Sequence, residues 1–409
     1  MSLIRASKIP LLGGVAREAR RGGFNPGQKY LAILDNSVSR RHSIKGMEVR
    51  TADIERAPCL EAGPIAANAR AAVAAARALG QTPMASILRA WCVPYLFHEM
   101  ERAFAADEDP VAAINRRLAH LAQVLTAAHE GGFASFMAGA EAGDGAADAV
   151  EAVTGEHYGW LFKAFSSKSF FDEPLHLLRT RLERNDIDLA GLEEKTVLDA
   201  GCGGGRYTVA WRLLGARAVV GVDISEVGLA DARARVVAAE VEGVRFVQSN
   251  VLTLPFGDDA FDVVFSNGVL HHTLDWRQGV EELVRVLKPG GMGWLYLIEN
   301  HGGLFWDVIE ILRVITHGEP RDLARATLHL MGLPANRVFY MLDHVMVPIN
   351  VRLTPDEIRT ALADAGATGI RRLTRGTDFD RVEQIYQGRP HAETKYGVGE
   401  NRFIFTKEA

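Results

Sequence analysis

Residues 196–208 read TVLDAGCGGGRYT. Val197 and Leu198 form an apolar run that meets Asp199. A glycine-rich turn follows through Gly201, Gly203, Gly204 and Gly205, and Val209, Ala210, Leu213 and Leu214 then recur at helical spacing. A buried strand, a tight turn and a helix in immediate succession is the local plan of a nucleotide-type cofactor site, where glycines let the backbone approach a ligand at a helix N-terminus. The same pattern also occurs as a plain strand-to-helix turn, so the rest of the chain has to decide.

Two details narrow the ligand. The dinucleotide fingerprint G-x-G-x-x-G needs glycine at 206, where this chain has Arg206. Asp199 stands just before the first glycine, where a carboxylate would repel a pyrophosphate but suits a ligand bearing an ammonium and a sulfonium. S-adenosylmethionine (SAM) is such a ligand.

From Lys195 onward strands and helices alternate, the pattern of a parallel sheet covered on both faces. Strands are expected at 218–224 (AVVGVDI), 244–250, 261–266 (FDVVFS), 293–298, 370–373 and 402–406. Helices are expected at 230–239 and 278–287, the latter closed by Lys288-Pro-Gly-Gly, and at 355–365 behind the capping box Thr354-Pro355-Asp356-Glu357. Asp223 ends the second strand about twenty residues past the glycine turn, where nucleoside-binding sheets place an acceptor for the ribose hydroxyls. Asn250 and Val251 follow the third strand, where an amide oxygen can accept from an adenine amine while Val251 packs its face. Three successive strand ends thus offer a methionyl-friendly carboxylate, a ribose acceptor and an adenine acceptor.

VLDAGCGGGRYT, GVDIS, SNVLTLPFGDDAFDVVFSNGVLHH and LVRVLKPGG together resemble the successive motifs of class I SAM-dependent methyltransferases, in the branch that includes the quinone-biosynthesis C-methyltransferases. The resemblance is dense over 195–295 and looser to the C-terminus. It implies a Rossmann-like, doubly wound, mainly parallel seven-stranded sheet with an antiparallel last strand. By the same resemblance Asp199, Gly201, Gly203 and Gly205 border the methionyl part, with Cys202 inside their turn. Asp223 and Ile224 hold the ribose, and Asn250 and Val251 the adenine. Such relatives usually carry Asp where this chain has Asn250; the acceptor survives the change.

Methyl transfer from SAM is an in-line displacement, so alignment and exclusion of water come first, and a base is needed only for a protonated nucleophile. Asn267, His271 and His272 follow the fourth strand; Glu299, Asn300 and His301 follow the fifth. Asn267 joins the cofactor-binding set. His271, His272 and Glu299 are the catalytic candidates, imidazole because it titrates near neutrality. Tyr158, Asn300, His301, Tyr340 and Asp343 are the substrate-pocket candidates, His344 joining the last two in a polar patch.

Residues 1–150 have no recognisable counterpart and read as a mainly helical domain. Ile65, Ala69, Ala72, Val73 and Ala76 recur at helical spacing up to Gly80, and Thr82-Pro83 and Asp109-Pro110 each pair an N-cap with a first-turn proline. His98, His120 and His129 form no ligand-spaced set. Residues 151–409 then form the cofactor-binding domain, with a lid-like helical insertion at 302–350. In that insertion Leu304, Phe305, Val308, Ile309, Leu312 and Ile315 make one apolar face, opposite Asp307, Glu310 and Arg313. A lid, a homodimer face and a helix buried on the N-terminal region are its three readings.

The 409 residues are 48% hydrophobic and 24% charged, with formal net charge -5, which argues against a nucleic-acid or membrane-surface binder. Cys59, Cys92 and Cys202 are odd in number and far apart, so no disulfide framework and no metal spacing is expected. No apolar run reaches the ~20 residues of a membrane helix, and the expected location is cytoplasmic. The expected function is methyl transfer from SAM to a small molecule. A nucleic-acid base methyltransferase would want an Asp/Asn-Pro-Pro-aromatic run where Ser266-Asn267-Gly268-Val269 stands. Two further alternatives are a different SAM chemistry, by aminocarboxypropyl transfer or ring closure, and a silent SAM-binding partner protein.

Overall fold

Seven strands form one sheet in the computed structural model, which describes residues 57–106, 108–135 and 168–408. They are β1 (Thr196–Ala200), β2 (Ala218–Asp223), β3 (Val244–Gln248), β4 (Phe261–Asn267), β5 (Leu287–Leu297), β6 (Ala367–Arg372) and β7 (Asn401–Lys407). Their order is β3-β2-β1-β4-β5-β7-β6. β1 to β5 are parallel, and β7 runs antiparallel to both β5 and β6. This is the Rossmann-like, doubly wound arrangement that the motif order implied. The winding reverses between β1 and β4, and ligands in such sheets bind outside the carboxyl ends of the strands at that point.

β5 starts earlier than the sequence suggests. Lys288-Pro-Gly-Gly reads as a stop, yet Pro289 still pairs with Lys407, and a register shift follows before Met292 meets Thr406. The glycines there serve close approach: a Cβ on Gly293 would lie 2.1 Å from the Phe405 ring.

Helices α1 (Pro58–Glu61), α2 (Ala66–Ala78), α3 (Pro83–Ala105) and α4 (Pro110–Glu130) precede the sheet. Both expected N-caps are present: Ala85 N–H donates to Thr82 Oγ1 at 3.1 Å and Val111 N–H to Asp109 Oδ1 at 2.9 Å. Next come α5 (Glu173–Arg184), α6 (Arg206–Leu214), α7 (Glu226–Ala238) and α8 (Trp276–Val286), which are the helices that flank the sheet. The insertion supplies α9 (Gly303–Thr316), α10 (Arg321–Leu330) and α11 (Ala335–Val345). After it lie α12 (Pro355–Asp364) and the short α13 (Arg381–Tyr386) and α14 (Ala392–Tyr396).

The apolar face of α9 is buried, and it is buried on the N-terminal helices. Val93, Phe97, Ile114 and Leu121 share one continuous core with Val308, Leu312, Leu328 and Leu342. The helices at 58–130 and at 303–345 therefore make one layer, although about 170 residues separate them in sequence. All these elements belong to one compact unit. Among the described residues no helix is long and apolar enough to cross a membrane.

Ion pairs fasten the segment after β6 to the sheet. Asp380, 3% exposed, accepts both Nε (2.8 Å) and Nη2 (2.7 Å) of Arg181 on α5, and Arg402 Nη2 on β7 at 3.2 Å. Burial opposes its ionisation, but Arg402 and Arg181 hold its carboxyl well below the usual carboxylate range. Arg381 reaches Glu299 in the same way at 2.8 Å. Asp380→Asn leaves two buried guanidiniums facing each other, and should cost about 3–5 kcal/mol. Calorimetric unfolding at neutral pH measures this; an unchanged midpoint would show that the network carries no stability.

Candidate cofactor and acceptor site

A cavity of about 360 Å³ opens where the winding reverses. One end is made of strand termini. β1 pairs with β2 as Ala200 with Val222, and β2 with β3 as Asp223 with Gln248, so Asp199, Asp223 and Asn250 stand at three adjacent carboxyl ends. Asp199, Gly201, Cys202, Gly203, Asp223, Ile224, Asn250, Val251 and Asn267 all line the cavity.

Local geometry explains the glycines. Gly201 has φ +81°, and a Cβ there would lie 2.3 Å from Val269, which forms part of the opposite wall. Gly205, also left-handed at φ +79°, is not on the wall; a Cβ there would strike Phe246 at 2.7 Å, so it serves the packing of α6 on β3. Arg206, in place of the fingerprint glycine, lines the cavity and donates from Nε to Ser169 O at 2.9 Å and from Nη2 to Glu173 at 2.8 Å.

The acidic groups are prearranged. Gly203 N–H donates to Asp223 Oδ2 at 2.8 Å and Ser225 N–H to Oδ1 at 2.9 Å, which fixes the carboxylate with lone pairs to spare. Asp199 is 2% exposed and accepts the Thr208 hydroxyl at 2.6 Å. Burial, partly offset by Thr208 and assisted by the neighbouring Asp223, pushes its carboxyl up to about 7. Asp199 and Asp223, two neighbouring carboxylates on the cavity wall, fit a cofactor that brings positive charge. Asn250 Oδ1 accepts Leu252 N–H at 2.9 Å, which orients the amide at the end of β3. Burial and both neighbouring carboxylates push the Cys202 thiol well up, so it is no nucleophile.

The other end of the cavity is a wall of imidazoles. His271 Nδ1 accepts Ile298 N–H at 3.3 Å, so the neutral ring carries its proton at Nε2. His272 Nδ1 donates to Ile349 O at 2.7 Å and His344 Nδ1 to Tyr340 O at 2.8 Å, which makes Nε2 the basic nitrogen of each. Burial lowers all three: His271 falls well below the ordinary value, and His272 and His344 to about 4. Tyr296 and Ile298 on the β5 side, and Phe339 and Asp343 on α11, complete this end. Arg313 of α9 holds α11 in place by donating to the carbonyls of His344 (3.3 Å), Val345 (3.3 Å) and Val347 (2.9 Å), a side-chain cap on the helix end.

The remaining expected residues lie elsewhere. Glu299 is fully buried off the cavity, accepting Trp306 Nε1 at 2.8 Å and Arg381 Nε at 2.9 Å. Asn300 and His301 are not on the wall, and His301 is exposed. Tyr340 turns away and packs edge-on against Phe97 of α3 at 5.8 Å between ring centroids. Tyr158 lies outside the described residues. Tyr296 and Phe339 were not foreseen. Phe339 and Asp343 are four apart on α11, a helical signal that could have shown them sharing a face.

Sheet, turn and strand-end acceptors define a nucleoside-cofactor fold. Residues 198–295 match the family model of a methyltransferase domain. The chain is 38% identical over 98 residues to a demethylmenaquinone methyltransferase of Shouchella clausii, covering 24% of this chain and 42% of that protein. It is 33% identical over 123 residues to a phthiotriol/phenolphthiotriol dimycocerosates methyltransferase of Mycobacterium tuberculosis, covering 29% and 43%. A 27-O-demethylrifamycin SV methyltransferase of Amycolatopsis mediterranei is 29% identical over 181 residues, covering 42% and 63%. The chain thus spans less than two thirds of the length of these relatives. Residues 198–295 thus resemble a methyltransferase domain, and SAM is a cofactor that the pocket at the strand ends fits.

With the Asp199 carboxyl at about 7 in the free protein, binding a cation should expel its proton. SAM affinity should fall about tenfold per pH unit below neutrality, with proton release visible by calorimetry in buffers of different ionisation enthalpy. Asp199→Asn should remove that slope. Affinity independent of pH between about 5 and 7 would contradict the arrangement.

Proposed function

We propose that the protein transfers a methyl group from SAM to a small, neutral acceptor bound beneath α11. The observation that carries this reading is the continuity of the cavity, from the carboxylates at the ends of β1 and β2 to the imidazole wall of His271, His272 and His344. SAM, when bound, supplies a sulfonium-activated methyl. Asp199, Gly201, Cys202 and Gly203 would border its methionyl part, Asp223 and Ile224 its ribose, and Asn250 and Val251 its adenine.

The chain's own contribution is mainly alignment and dryness. Ile298, Phe339 and Tyr296 keep the acceptor end apolar, while the wall holds three neutral rings at working pH. His271 offers a donor through Nε2–H; His272 and His344 offer acceptors through Nε2. A base held at about 4 is poorly matched to an alcohol. It suits an acceptor that is acidic, such as an enol or phenol, or one that carries no proton at the attacking atom. A fixed anion on the substrate would find no counter-charge among these rings, and Asp343 stands at the same end. The names of the relatives, which concern a menaquinone precursor, a phenolic lipid and a rifamycin, support an acceptor of this neutral, hydroxylated kind.

Incubation with methyl-labelled SAM and small-molecule extracts should move label to an organic product and yield S-adenosylhomocysteine. Methylthioadenosine as the by-product would instead indicate the other sulfonium chemistry, and SAM binding without turnover a silent partner. Once an acceptor is found, Arg313→Met, which releases the end of α11, should raise its KM several-fold more than it lowers kcat.

A further inference from the structure

The strongest unexplained cluster lies on the far side of α9. Asp307 and Glu310 are three residues apart and so share a helical face, one that sequence patterning assigns to solvent. It is covered instead by α1, which brings Cys59 against it from 248 residues away. The Cys59 sulfur and one carboxylate oxygen from each acid lie within 4.8 Å of one another. Zinc bonds of about 2.0–2.3 Å place neighbouring ligand atoms roughly 3–4 Å apart, so closure around an ion needs only small side-chain shifts.

Glu310 supplies an independent sign of a missing partner. It is 8% exposed, its Oε1 pairs with Arg352, and its buried Oε2 accepts no hydrogen bond. The Cys59 thiol donates to the Asp307 main-chain oxygen at 3.5 Å and also faces the Glu310 carboxylate. A buried carboxylate oxygen left bare is costly unless a cation takes it. The charges also balance: two carboxylates and a thiolate are matched by one divalent ion and the Arg352 guanidinium.

We infer that Cys59, Asp307 and Glu310 form a zinc-binding site that bridges α1 and α9. One thiolate and two carboxylates, with solvent at the half-exposed Asp307 side as fourth ligand, make a tetrahedral set for a borderline-soft ion. The thiol proton leaves to solvent on binding. The site lies apart from the cofactor cavity, whose wall includes none of these residues. It holds the first described helix on the same α9 that carries Arg313, the residue capping α11.

The test uses the full-length chain stripped with chelator and titrated with Co²⁺ and then Zn²⁺. The wild-type protein should take up one equivalent of Co²⁺ with a sulfur-to-cobalt charge-transfer band, which Zn²⁺ abolishes while raising Tm. Cys59→Ser should lose the band, and Glu310→Gln should weaken Zn²⁺ binding more than about 100-fold, beyond what changes outside the ligand set produce. Asp307→Asn, at a half-exposed position, gives the same reading should a buried substitution fail to fold, and retained S-adenosylhomocysteine binding certifies the fold of each variant. Absence of the band in the wild type would overturn the site. So would zinc uptake that is unchanged in the variants, which would put the ion elsewhere.

Discussion

The N–H of Gly203 donates to the carboxylate of Asp223 across the ends of β1 and β2. That one bond ties the glycine turn to the neighbouring strand and fixes the orientation of the acid. It also brings Asp223 close enough to Asp199 to disfavour a second negative charge there. The turn cannot relax to avoid this, because Gly201 and Gly205 hold left-handed backbone against Val269 and Phe246. The result is a preformed, negatively biased mouth at the point where the winding of the sheet reverses. Every other feature of the site is arranged around it, since a cation bound at Asp199 must present its far side to the imidazole wall.

That wall depends on helices that do not belong to the sheet. α9 buries its apolar face mainly on α2 and α3, and from that footing Arg313 caps α11, which carries Phe339, Asp343 and His344 to the cavity. The N-terminal helices therefore shape the acceptor end without touching it. Their alanine-rich faces allow the close helix packing this requires, as with Ala69, Ala72 and Ala76, which are almost completely buried.

The parts of the fold legible in the sequence are those set by local rules. Strand, turn and helix are written into residues 196–214, and the helices begun by Thr82-Pro83 and Asp109-Pro110 show their caps. What escaped is set by registry and distance. Glu299 lies beside the motif at the end of β5, yet side chains alternate along an extended strand, so Ile298 meets the cavity and Glu299 points to Trp306 and Arg381. Tyr340 and Phe339 differ by one helical step, enough to send one to α3 and the other to the cavity. Cys59 and Glu310 share no spacing at all, because only the tertiary packing of α1 on α9 joins them.

We propose that three strand ends form one cofactor pocket, with Asp223 both building the turn and holding the ribose. The most direct measurement is calorimetric titration of S-adenosylhomocysteine into the wild-type protein and into Asp223→Ala. The account predicts saturable binding at one site in the former and none detectable in the latter. Wild-type affinity in the variant would contradict it.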